Sequence, residues 1–125
     1  MAVARSIFDR YQSREKAFDA TIADLYCDSV LMRNVRTYPD GTQRTLELPA
    51  ATYKAMIRSI MPLARAKGDF GIYSDATFVA EGAGIRIKAT RHSQSKGYSS
   101  PISMLIGNCG TGSVGILEEL SESQP

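Results

Sequence analysis

Four β-prone runs crowd the second half of this chain, and the gaps between them are too short to hold a helix. Residues 70–80, 84–92, 102–109 and 114–120 are rich in Ile, Val, Thr, Phe and Tyr, the residues that suit a pleated, half-buried surface. Only short glycine or serine clusters separate them. A parallel return needs a crossover of about a dozen residues or more, so neighbouring strands here are expected to be antiparallel.

The first half reads differently. Val3, Ile7, Tyr11, Phe18, Ile22 and Leu25/Tyr26 fall on one helical stripe, which predicts a long N-terminal helix of about six turns. Residues 30–35 then alternate in character, Tyr38-Pro39-Asp40-Gly41 is a turn signal, and residues 42–48 return as a second strand. Pro49 suits the first turn of another helix, with Tyr53, Met56, Ile57, Ile60 and Met61 on one side. Pro62 is expected to kink or end that helix, and Lys67-Gly68 to close it. The whole predicts one α+β domain over residues 1–125, with 121–125 a flexible tail.

Composition narrows the function classes. Fifteen basic and thirteen acidic residues leave a net charge of only +2, and they are scattered along the chain. A nucleic-acid binder concentrates positive charge on one face, so no nucleic-acid partner is expected. No apolar run approaches membrane-spanning length. The expectation is a soluble, cytoplasmic protein, or the mature form of a secreted one. One histidine and two cysteines offer no ligand set for a structural metal. For Cys27, in apolar surroundings, a buried free thiol is the commoner state.

The run Gly110-x-Gly112-x-x-Gly115 has the spacing of a dinucleotide-binding turn. That fingerprint also needs a helix, a second parallel strand and an acid about twenty residues on. Only ten residues follow Gly115. The glycines are better explained by positive φ at a turn and by close backbone approach at Gly115.

The element order resembles the nuclear transport factor 2-like superfamily, with its cystatin-like α+β cone, ketosteroid isomerases and SnoaL-like cyclases. The local match lies in Ile22-Ala-Asp-Leu-Tyr26-Cys-Asp28-Ser-Val30 and in the ending Gly112-Ser-Val-Gly-Ile116-Leu-Glu-Glu-Leu120. The resemblance implies a curved antiparallel sheet of about six strands wrapped around a pocket, with helices on the concave face. It also implies a homodimer through the outer sheet face. In the isomerases a general-base Asp follows the acidic turn by about six positions. That count from Asp28 reaches Asn34, an amide that takes up no proton.

Strand parity places Arg91 with the apolar row Ile85, Ile87 and Ala89, and His92 outward with Arg86 and Lys88. Arg91 then either anchors a ligand carboxylate at the pocket rim or forms an ion pair with Glu118 or Asp28. The expected ligand contacts are Asn34, Tyr53, Arg91, Tyr26 and Asp28, with Met32, Met56 and Met104 as soft walls. The chain is thus read as a pocket protein for a small apolar or carboxylate-bearing ligand, needing no cofactor. Two alternatives stand beside that reading. One is a cofactor-free cyclase, isomerase or dehydratase acting on an enolisable carbonyl. The other is a dimeric interaction module without a working pocket.

Overall fold

The structure is a computed structural model, and it describes residues 1–110 and 112–124. Helix α1 (Ala2–Lys16) is followed by a short 3-10 helix (Ala20–Leu25). Next come strands β1 (Tyr26–Thr37) and β2 (Gln43–Leu48) and helix α2 (Ala50–Lys67). Strands β3 (Gly71–Glu81), β4 (Gly84–Ser93), β5 (Ser99–Asn108) and β6 (Val114–Ser123) complete the chain. The six strands form one sheet in the order β2-β1-β6-β5-β4-β3, and the core lies between its concave face and the helices.

The hairpin, the second helix and the β3–β6 meander follow the sequence expectation, with antiparallel pairing throughout the meander. One pairing does not, because β6 returns beside β1 in parallel and makes the sheet mixed. Strand β6 also runs on to Ser123, opposite Arg36, where a flexible tail was expected. The single long N-terminal helix is broken. Phe18 adopts a positive φ of 54°, and the side chain of Asp19 caps the 3-10 helix by accepting from the Thr21 N–H at 2.9 Å. Ile22 and Leu25 still point inward, so the apolar stripe survives the break. Helix α2 continues through Pro62, which lies on its exposed side, and ends at Gly68 with φ 64°.

Cys27 and Cys109 form a disulfide across 82 residues, with Cα atoms 5.1 Å apart. This corrects the free-thiol expectation: β1 opens beside the β5–β6 turn, so two distant cysteines meet. The turn itself uses Gly110 (φ 88°) and Gly112 (φ 82°). Gly115 is a close approach, since a Cβ there would lie 2.8 Å from the Leu25 carbonyl oxygen and 3.0 Å from Cys109 Sγ. The glycine run is a turn and a packing contact beside the disulfide.

The linkage makes a direct prediction. Thiol titration of the denatured, unreduced protein should find no free cysteine. Reduction should then cost about 4 kcal/mol of stability, as expected for closing a loop of this length. An unchanged urea midpoint after reduction would show that the cross-link is absent.

Candidate functional site

Strict alternation along β6 would turn Ile116, Glu118 and Leu120 to the same face. The structure breaks that alternation. Leu105 pairs with Glu118, but the next residue, Ile106, pairs with Ile116, so Leu117 is an extra residue on β6. Gly107 gives it room, since a Cβ there would lie 2.7 Å from Leu117 Cδ1. The bulge reverses parity. Glu118 faces outward and pairs with Arg86 at 2.9 Å, while Glu119 turns into the core and is 3% exposed.

Glu119 is the centre of the interior. Its neighbours in the register are Met32 on β1 and Met104 on β5, both buried. Three tyrosine hydroxyls donate to its carboxylate. Tyr26 reaches Oε1 at 2.7 Å and Tyr11 reaches the same oxygen at 3.2 Å. Tyr53, from α2, donates to Oε2. Among the described residues no lysine or arginine pairs with it. Burial pushes the Glu119 carboxyl above the ordinary glutamate range, and the three hydroxyl donors pull partly back. Burial and the adjacent carboxylate likewise raise Tyr11 and Tyr26.

The tyrosine rings continue the chain edge to face, from Tyr53 to Tyr26 to Tyr11 to Tyr73, with centroids 5.5, 6.4 and 5.8 Å apart. At the far end Glu15 accepts from Tyr73 at 3.0 Å and from the Gly71 N–H at 2.8 Å. Arg91 Nη2 lies 3.6 Å from Glu15 Oε2. The ion-pair alternative for Arg91 is therefore the one present, with Glu15 and not Glu118 or Asp28 as partner.

The expected contacts are distributed as follows. Tyr26, Tyr53, Met32 and Met104 converge on Glu119. Asn34 sits one pair further along the same face, where its amide donates to Ser121 Oγ at 2.9 Å and its carbonyl accepts from Ser123 Oγ at 2.9 Å. Arg91 belongs to the Glu15 end. Two residues stand apart. Met56 is exposed on α2, and Asp28 projects into solvent against Lys54 at 3.0 Å. His92 faces out of the core, within 3.0 Å of Ser99 Oγ. Glu119 itself escaped the sequence reading because two adjacent glutamates gave no reason to choose the second. The signal was present in the glycines at 107 and 115, which mark irregularity in a strand.

Among the described residues no group of three or more His, Cys, Asp or Glu could hold a metal, and no helix is long and apolar enough to cross a membrane. What the arrangement offers is a carboxyl able to exchange a proton, surrounded by hydroxyl donors.

No family model matches the sequence, and no curated protein matches it. Solved structures do match. An NTF2-like protein of unknown function from Pseudomonas putida is 12% identical, with a TM-score of 0.75 over 97% of this chain and 84% of that one. An NTF2-like protein with a cystatin-like fold from Novosphingobium aromaticivorans is 14% identical, with a TM-score of 0.63 over 95% and 78%. ActVI-ORFA from Streptomyces coelicolor is 13% identical, with a TM-score of 0.63 over 97% and 95%.

The raised carboxyl carries a pH signature. A carboxyl whose folded pKa exceeds its unfolded value holds its proton more tightly in the folded state. It therefore favours the fold at low pH and weighs against it as pH rises from about 4.3 through the raised folded value. Glu15 is shifted the same way, chiefly by burial, so the comparison needs a variant that changes only position 119. As pH rises above about 4.3 the native protein should lose stability relative to Glu119→Gln. Urea midpoints measure the gap, and a gap independent of pH would show that no buried carboxyl ionises there. By its sheet order, its helices and these structural matches, the chain has the NTF2-like, cystatin-like fold.

Proposed function

We propose that the protein binds a small, largely apolar molecule bearing a carbonyl or hydroxyl oxygen, held inside the cone against Glu119. The observation that carries this reading is a buried carboxylate with three tyrosine donors and no cation. Burying such a charge costs several kcal/mol, and an apolar side chain at 119 would serve a purely structural core better. Perturbed carboxyls of this kind concentrate at sites that handle ligands or protons.

The interior is closed around Glu119, so a ligand has to move one wall. Helix α2 is the most movable, because Ile57 is its only buried residue among those described. Its half-buried Tyr53 covers Oε2. Withdrawing Tyr53 frees that oxygen to accept from a ligand hydroxyl in its place.

A second reading is acid–base catalysis on an enolisable carbonyl, as in an isomerase, dehydratase or cyclase. The upward shift of Glu119 favours it, since a carboxyl nearer neutral pH exchanges protons more effectively. The fold alone does not choose between these readings.

Self-association through the outer face of the sheet belongs to the same reading, supported by exposed Leu31 and Val79 there. Sedimentation at several concentrations tests it, and a monomer throughout would count against it. The disulfide supports an oxidising compartment over the cytoplasm.

A thermal-shift panel tests the ligand. Bicyclic ketones, the matching alcohols and the parent hydrocarbons should separate, with the oxygenated members stabilising the native protein more. Glu119→Gln should erase that preference. A panel in which hydrocarbons do as well as alcohols would sink the assignment. Exchange of α-deuterons from a stabilising ketone, lost in the variant, would establish the catalytic reading.

A further inference from the structure

The β1–β2 hairpin places two arginines directly opposite each other. Arg36 pairs with Arg44 in the antiparallel register, so both side chains leave the same face. It is the concave face: on β1 the same row holds Asn34 and Met32, paired with Leu46 and Leu48 on β2. Met32 in turn lies beside Glu119.

Like charges in a cross-strand pair destabilise a sheet, and here no described residue relieves them. Neither arginine has an acidic partner among the described residues. The nearby acids are otherwise engaged or turned away. Asp40, at the hairpin tip, accepts from the Thr42 N–H at 3.0 Å and from its hydroxyl at 2.6 Å. Glu47 is held by Arg33 at 2.7 Å, and Glu122 pairs with Val35, one position out of phase with the arginine row. Asn34 is bound by Ser121 and Ser123, whereas neither guanidinium has a hydrogen-bond partner among the described residues. They border a cavity of about 290 Å³ that is also lined by Asn34, Tyr38, Thr45 and Leu46.

We propose that Arg36 and Arg44 form an anion subsite at the open end of the cone, where they bind the carboxylate of an amphipathic ligand. Two guanidiniums present paired N–H donors that match the two oxygens of a carboxylate. Leu46, exposed beside them, supports the ligand's apolar body. Four residue steps along the strand take Met32 to Arg36, about 13 Å. That spacing selects a medium-length chain or fused-ring acid whose far end reaches toward Glu119. Only this inner end rests on the function proposed above. Arg91 is paired with Glu15, whereas Arg36 and Arg44 have no acidic partner among the described residues.

Isothermal titration of the full chain with decanoate, decanol and inorganic phosphate tests the subsite. Decanoate should bind at least about tenfold more tightly than decanol, which lacks the charge, or phosphate, which lacks the apolar body. Arg36→Gln and Arg44→Gln should each weaken decanoate at least about tenfold. Both should keep or raise the urea midpoint, because each relieves a like-charge pair. Glu119→Gln separates the two ideas, since it should retain the preference for decanoate over decanol even if the inner site fails. Decanoate binding no better than decanol, or unchanged by either arginine variant, would overturn the subsite. Equal binding of phosphate and decanoate would overturn the amphipathic ligand.

Discussion

A single carboxylate taken out of water sets the terms for the rest of this fold. Glu119 is acceptable inside only because hydroxyls from α1, β1 and α2 reach it together. Each hydrogen bond to a charged group contributes about 1.5–3 kcal/mol, a sum comparable to the cost of burial. The three elements are therefore positioned by a polar requirement as well as by apolar packing. Loss of any one leaves the charge under-satisfied.

The tyrosine chain extends that requirement across the molecule. Its other end is Glu15, held by Tyr73, Gly71 and Arg91. Gly71 is needed there, because a Cβ would lie 2.5 Å from Arg91 Nε and 2.9 Å from Glu15 Oε1. Half-buried Glu15 and buried Glu119 thus tie the helices to opposite halves of the sheet, Glu15 from α1 to β3 and β4, Glu119 from β6 to α1 and α2. Among the described residues the concave face beyond Asn34 carries no comparable network.

What was legible in the sequence was local. The apolar stripe of α1, the Pro-Asp-Gly turn, the Gly68 terminus and the four-stranded meander depend on neighbours within a few residues. What was not legible depends on long-range closure or on a change of phase. The parallel pairing of β1 with β6 joins the two ends of the fold, and the cysteines meet across 82 residues. The break at Phe18 was hidden because the 3-10 turn kept Ile22 and Leu25 inward. At the site, Tyr26, Tyr53, Met32 and Met104 were readable from their apolar rows, whereas the glutamate they surround was not. Arg36 and Arg44 were equally invisible, since like charges become a pair only once the hairpin register is known.

The bulge at Leu117 has a further meaning for how this chain can change. Two adjacent glutamates stand beside it, one outward and one inward, and a single extra residue decides which is which. One residue inserted between Leu117 and Glu118 would exchange their roles in one step, moving Glu118 opposite Met104 and toward the tyrosines and turning Glu119 to the outer face. The composition would hardly alter, yet the acid inside would sit on a different backbone position. Insertions and deletions in this strand are thus a route to reshaping the interior that point substitution does not offer.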